Sequence, residues 1–320
     1  MAFCLMFAGW VALGLRVHDR WPQWSYRDSL PGDAWSPDKA LVAETAEPLF
    51  TNYIFYHGIG PAISSARGAD VLFLGDSRPM FAFRDGTIQE ARRRSGMSFF
   101  NMAGPSNDCL FSTEILEKQR LAPPFVVVNE DGFFNPVLWP PDKDALTKTY
   151  WQCWVKIYQH YYSWKIRRWV QRWVPKLGYF KEPGEKNYFM LRSVQTGGIF
   201  SDSIPPQHFR MTPFKEKFDL NPGYLARAEE FKQEMDKQGT RLVIIRVPFQ
   251  KGPDIALAVA RRLKVPCVEP WPEGLETFDG IHLTPDSADR FAEAFFKEFF
   301  RLPEVIEWRK SHPREVGEKF

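Results

Sequence analysis

Cysteine is scarce in this 320-residue chain. Four are present, Cys4, Cys109, Cys153 and Cys267, and no two stand at Cys-x-x-Cys spacing. That excludes the usual zinc-ribbon and redox-pair patterns. Their scatter fits buried thiols better than a disulfide framework, with a Cys109–Cys153 bridge left open. Excess charge is lacking too. Lys and Arg number 42 against 39 Asp and Glu, a net of +3, which argues against nucleic acid as the main partner. No turn carries the further glycines and the lysine of a phosphate loop, and no internal repeat is present. Long apolar runs are also missing. Ala2 to Leu15 is apolar but shorter than the about 20 residues of a full membrane span. It is expected to be a retained membrane anchor, with Trp10 and Trp21 near the interfaces. A cleaved signal and a buried helix are the alternatives.

What the chain does have is aromatic mass: 16% of residues, with 12 Trp and 28 Phe. A phenylalanine-rich core accounts for much of this, and the tryptophans suit a carbohydrate- or membrane-facing protein. Hydrophobic residues at 44% and charged residues at 25% are an ordinary globular balance. The length suffices for one large α/β domain with an insertion, or for two small domains.

The chain is organised around Val71-Leu72-Phe73-Leu74-Gly75-Asp76-Ser77. Four consecutive apolar residues predict a strand buried on both faces. Gly-Asp-Ser is then a turn at its carboxyl end, where α/β sheets carry ligands and catalytic groups. Ser77 is a candidate nucleophile there. The competing role is to cap the helix that follows.

A second stretch favours the nucleophile. In Phe278-Asp279-Gly280-Ile281-His282-Leu283-Thr284-Pro285, Thr284 is a predicted N-cap and Pro285 the first helical residue. Asp279 and His282 stand three apart on the loop before that helix. A carboxylate so placed can fix the imidazole tautomer while the other ring nitrogen takes a proton from a serine.

Gly-Asp-Ser after the first strand, with Asp-x-x-His before the last helix, resembles the SGNH (GDSL-like) hydrolase superfamily over roughly residues 69–300. The resemblance implies Ser77 as nucleophile, His282 as general base and Asp279 as its orienting acid. It implies a Gly in the second block that donates its N–H to the oxyanion, and Gly104, in Asn101-Met102-Ala103-Gly104, matches best. The third block of the family, Gly-x-Asn-Asp, is absent. Asn129, at the end of Phe125-Val126-Val127-Val128-Asn129, is close but early, and Asn107 belongs to the preceding block. Both remain candidate oxyanion donors. Branches of the superfamily that act in envelope polysaccharide O-acetylation and teichoic-acid D-alanylation are similarly loose in this block. They imply an acylated carbohydrate substrate and a membrane-bound acyltransferase partner. No metal or cofactor is implied.

The remaining pattern predicts helices at Thr87–Arg94, Leu225–Lys237 and Ile255–Leu263, and strands near Met97–Asn101, Arg241–Pro248 and Val265–Val268. Five strands separated by helices make a flavodoxin-like, doubly wound, parallel five-stranded α/β sheet. The chain then divides into an anchor (1–20), a linker with a leading helix around Leu41–Tyr56 (21–68), the first part of the α/β domain (69–136), a helical, aromatic-rich insertion (137–221), the second part (222–301), and a charged tail (302–320) expected to be partly disordered. In the insertion, Trp151, Trp154, Tyr158, Tyr161, Ile166, Trp169 and Trp173 recur at helical spacing, with Lys165, Arg167, Arg168 and Arg172 between them. Such a helix can dock on its own domain, line a sugar cleft or lie on a membrane surface. His57 is taken as structural, and His160 and His208 have no evident partner.

Two functions are consistent with these features. One is a serine esterase or O-acyltransferase of the SGNH type, acting on acyl esters of a cell-envelope polysaccharide. It would be anchored with its catalytic domain on the extracytoplasmic side of a bacterial membrane. The other is a catalytically degenerate domain of the same fold that binds polysaccharide or scaffolds an envelope complex.

Overall fold

Apolar runs without polar alternation form strands that are covered on both faces, and the middle of this chain is built from them. The computed structural model describes residues 41–44, 49–104, 107–130, 132–135, 138–157, 190–200, 209–210, 222–249 and 255–313. Its strands are β1 (Leu41–Glu44), β2 (Val71–Leu74), β3 (Phe99–Asn101), β4 (Phe125–Asn129), β5 (Met190–Ser193), β6 (Phe209–Arg210), β7 (Arg241–Ile245), β8 (Cys267–Val268) and β9 (Glu276–Thr277). Its helices are α1 (Leu49–His57), α2 (Ala62–Arg67), α3 (Ser77–Ala82), α4 (Asp85–Ser95), α5 (Cys109–Gln119), α6 (Pro140–Thr147), α7 (Pro222–Lys237), α8 (Ala256–Leu263), α9 (Pro285–Phe299) and α10 (Pro303–Ser311). Residues 150–157 are also helical.

The central sheet has the order β3-β2-β4-β7-β8, and every pairing in it is parallel. Counted along the chain, that is the 2-1-3-4-5 order of flavodoxin-like sheets, which reverses direction beside the first strand. Successive side chains point to opposite faces. Leu72, Leu74, Val126, Val128 and Ile244 enter a core with Tyr53, Phe111, Ile115 and Phe231. Val71, Phe73, Val127, Val243 and Ile245 enter a second core with Phe83, Phe291, Phe295 and Phe299. The phenylalanine surplus is concentrated there. Phe73 stacks on Phe83 with ring centroids 4.0 Å apart and meets Phe295 edge-on at 5.7 Å. Each fully buried ring of this kind contributes about 1.5–3 kcal/mol.

Three expectations change. Residues 41–44 are a strand, and the leading helix begins at Leu49. The insertion is not purely helical, because β5 pairs antiparallel with β1. The charged tail includes α10, whose Val305 and Trp308 are buried in the second core, with Trp308 edge-on to Phe125. Cys109 and Cys153 are separate free thiols in the first core, not a bridge. The proposed anchor (1–20), the linker up to residue 40, residues 158–189 with most of the aromatic stripe, Cys4, His160, His208 and residues 314–320 lie outside the described residues.

Strand β3 is an edge, and unpaired edges invite foreign strands. Here the turn after β5 covers it. The Asn101 N–H donates to the Thr196 carbonyl at 2.6 Å. Arg192, only 1% exposed, donates to the carbonyls of Gly197 (2.7 Å) and Asn101 (2.5 Å). Gly197 has φ +66°, and a Cβ there would lie 2.1 Å from the Asn101 oxygen, so only glycine allows this approach. Asn101 in turn donates its amide to the Pro79 and Phe83 carbonyls. The strap thereby holds α3, the helix that opens with Ser77.

Candidate active site

Ser77 owes its position to the end of β2. Gly75 takes φ +131°, a conformation side chains disfavour, and a Cβ there would crowd Pro79 and Asn129. Asp76 follows in extended conformation and caps α3, accepting the Arg78 N–H at 3.0 Å. Its other oxygen pairs with the Arg78 guanidinium at 3.1 Å, which lies over the Phe249 ring. Capping is therefore the work of Asp76, and the Ser77 hydroxyl is left for another partner. That partner is His282, whose Nε2 is 2.6 Å from Ser77 Oγ.

The loop carrying His282 is a closed local structure. The Phe278 N–H donates to the His282 carbonyl and the Thr284 N–H to Glu276, both at 2.9 Å. Asp279 Oδ1 accepts the N–H groups of Ile281 (2.9 Å) and His282 (2.8 Å), and Oδ2 lies 2.6 Å from His282 Nδ1. A short polar side chain bonding the backbone two and three residues on is a favoured turn device. Thr284 caps α9 through the Ser287 N–H, with Pro285 at its first position. Helix α9 packs against Phe83 at the end of α3, which brings the two helix entries side by side. Phe278 stacks on the imidazole at 5.5 Å and Phe81 lies 4.7 Å from it.

Burial pushes the Asp279 carboxyl up, but the hydrogen bonds from the imidazole and the two backbone N–H groups outweigh it. The net effect holds Asp279 below its ordinary value. An ionised Asp279 accepts Nδ1–H and leaves Nε2 as the acceptor for the serine proton. Ser77, His282 and Asp279, far apart in sequence, thus form one continuous hydrogen-bonded line.

The expected oxyanion donors fare differently. The Gly104 N–H is already donated to the Gly75 carbonyl at 3.0 Å, so it is not the free donor the sequence pattern assigns. Asn129 is fully buried. Its oxygen accepts the Val247 N–H at 2.9 Å and its amide faces Asp76 at 3.5 Å, which makes it a brace between β4, the chain after β7 and the α3 cap. Asn107 is buried with its carboxamide against Gly104, and its side chain forms no hydrogen bond among the described residues. Residues 105–106, in the same turn, lie outside the described residues.

Elsewhere, His57 directs Nε2 to the Ala145 carbonyl at 3.2 Å. Burial, then the Lys118 charge, lower its pKa. Among the described residues no group of three or more His, Cys, Asp or Glu could hold a metal, and no helix is long and apolar enough to cross a membrane. The aromatic clamp of Phe81 and Phe278 and the strap through Arg192 escaped the sequence reading. Phe278 adjoins Asp279 and could have been suspected from that adjacency. Arg192 offered no signal, since an isolated arginine ordinarily reads as surface. No family model, characterised protein or solved structure matches the chain.

Proposed function

We propose that the chain is a serine esterase or O-acyltransferase of the SGNH type. The observation that carries this is the unbroken line from Ser77 Oγ through His282 to Asp279, with both links at 2.6 Å, at the carboxyl end of the first sheet strand. In this mechanism Ser77 attacks an acyl carbonyl while His282 Nε2 takes its proton. The imidazolium, steadied by Asp279, then protonates the leaving oxygen. The acyl group passes from Ser77 to water in hydrolysis, or to a sugar hydroxyl in transfer. The Ser77 N–H and the Asn107 amide are the donors we assign to the oxyanion, since Gly104 and Asn129 are engaged elsewhere. The favoured substrate is an acetylated envelope polysaccharide, with a membrane-bound acyltransferase as donor-side partner and residues 1–20 as anchor.

Incubation with p-nitrophenyl acetate tests the chemistry. The expected result is a burst of nitrophenolate near one equivalent, with one acetyl group on the peptide containing Ser77. Acetylation spread over surface lysines with no burst would contradict it.

The engaged Gly104 and Asn129 favour a second reading, a degenerate domain that binds polysaccharide without turning it over. Losing one oxyanion donor costs about 10²–10³ in rate. Saturable binding of an acetylated polysaccharide, unaltered by Ser77→Ala and with no acyl-enzyme formed, would favour that reading.

A further inference from the structure

A cleft of about 770 Å³ runs between α4 and α9, with residues 199–200 and Arg309 of α10 also on its wall. None of Ser77, Asp279 and His282 lines it. The volume is that of a small-molecule site, which ordinarily measures about 300–1,000 Å³. Its floor is apolar. Ala91, Ile199 and Phe296 are buried there, and Phe300 stacks on Phe296 with ring centroids 6.0 Å apart.

The charges around this floor do not cancel. Four acids line the cleft, and each has a partner. Asp85 accepts from Thr196 at 2.6 Å and from Gln89 at 2.7 Å. Glu90 accepts from Arg93 at 2.7 Å and from Arg94 at 2.5 Å. Asp289 faces Arg84 at 3.5 Å, and Glu293 lies 4.0 Å from Arg94. Three further cations have no acid. Arg290 directs its donors to the Glu273 and Gly274 carbonyls at 2.9 and 2.7 Å. Arg309 lies over the Phe300 ring, 5.5 Å from its centroid. Lys297, one turn before Phe300, forms no ion pair among the described residues, and neither does Arg309. One end of the cleft therefore joins two uncompensated cations to a pair of stacked rings.

That combination has a chemical complement. An apolar floor gains when it sheds water, and an ammonium and a guanidinium without a carboxylate are best met by a carboxylate, sulfonate or phosphate group. We infer that the cleft between α4 and α9 binds a small organic anion with an apolar body. The acid group sits between Lys297 and Arg309, and the body covers Phe296 and Phe300. The site is separate from the Ser77–His282–Asp279 line and independent of any chemistry there.

Photo-crosslinking of the full chain with 4-benzoylbenzoate, a monoanion carrying two aromatic rings, tests this locally. The expected result is saturable labelling of the tryptic peptides 85–92 and 291–297, competed by 2-naphthoate. Lys297→Gln/Arg309→Gln should raise the half-saturating concentration about tenfold, and uncharged benzophenone should require a similar increase on the native protein. Gly86→Trp supplies a second variant. Gly86 is an exposed residue on the wall of the cleft, and a Cβ there meets nothing within 4 Å, so the indole can cover the mouth without disturbing the core. It should lower the saturable labelling at least tenfold while the urea midpoint stays at the native value. Label confined to residues 1–20 or to the peptide that carries His282, equal saturation by benzophenone and 4-benzoylbenzoate, or unchanged labelling of both folded variants would each overturn the proposal.

Discussion

Replacing Asp279 with asparagine separates two jobs that one carboxylate performs. Oδ1 holds the turn through two backbone N–H groups, and Oδ2 holds the imidazole. In Asp279→Asn the carboxamide oxygen must stay on the backbone donors, because an amide nitrogen there would set donors against donors. The amide N–H then faces His282 Nδ1 and forces the ring proton onto Nε2. That nitrogen becomes a donor toward Ser77 and can no longer take its proton. The equivalent change of tautomer in a serine protease costs about 10⁴ in kcat, or about 5 kcal/mol of transition-state stabilisation. The turn itself is retained, so the unfolding free energy should change by no more than about 1 kcal/mol. Asp279→Ala should lose rate and a further 1 kcal/mol or so of stability, because the two N–H groups lose their acceptor. The assay is the second-order rate of Ser77 acylation alongside urea unfolding of each variant. An Asp279→Asn protein that reacts within tenfold of the native rate would refute the assigned role of Asp279.

Two further outcomes follow from groups outside the site. Asp142 is fully buried, accepts one bond from Asn52 at 2.8 Å, and its Oδ2 has no hydrogen-bond partner among the described residues. Burial, and then the Asp108 charge, push its carboxyl from the ordinary 3.8 up to about 8. Because the folded value is the higher one, its contribution to stability is complete below pH 3.8 and is lost as pH rises to about 8, at about 1.4 kcal/mol per unit. Asp142→Asn does not titrate, so its stability should gain on the native protein by roughly 2–3 kcal/mol between pH 5 and pH 7. Parallel denaturant titrations measure this, and a difference that stays constant with pH would count against it. Gly197→Ala places a Cβ 2.1 Å from the Asn101 oxygen at φ +66°, which should cost about 2 kcal/mol or more. It should also slow Ser77 acylation by loosening the strap on α3. A thermal midpoint within a degree of native would show that the strap does not bear on the sheet edge.

How much of this was legible in the sequence depended on whether the cause was local. Val71–Leu74 reads as a doubly covered strand because both faces of β2 are buried, and the Thr284–Pro285 helix start is written in two adjacent residues. The Asp279–His282 pair is legible for the same reason, since the turn that joins them spans four residues. The oxyanion donors were not. The Gly104 N–H is taken by Gly75, and Asn129 by Val247, partners set by strand order and loop path rather than by any neighbouring residue. Arg192 is buried where the Gly197 and Asn101 carbonyls accept from its guanidinium, and nothing in Met190–Ser193 foretells that. Helix α10 was hidden by its own charges. Glu304, Glu307, Arg309 and Lys310 dominate the segment, while only Val305 and Trp308 face inward. A two-residue inward stripe is too thin to stand out in a charged tail.

The proposed chemistry stands on an activated serine at position 77. It is tested most directly by covalent labelling with a fluorophosphonate probe, comparing the native chain with Ser77→Ala and His282→Ala. The expected result is stoichiometric labelling of the native protein, mapped to Ser77 and abolished in both variants. A folded native protein that takes up no probe, or labelling that survives Ser77→Ala, would contradict it.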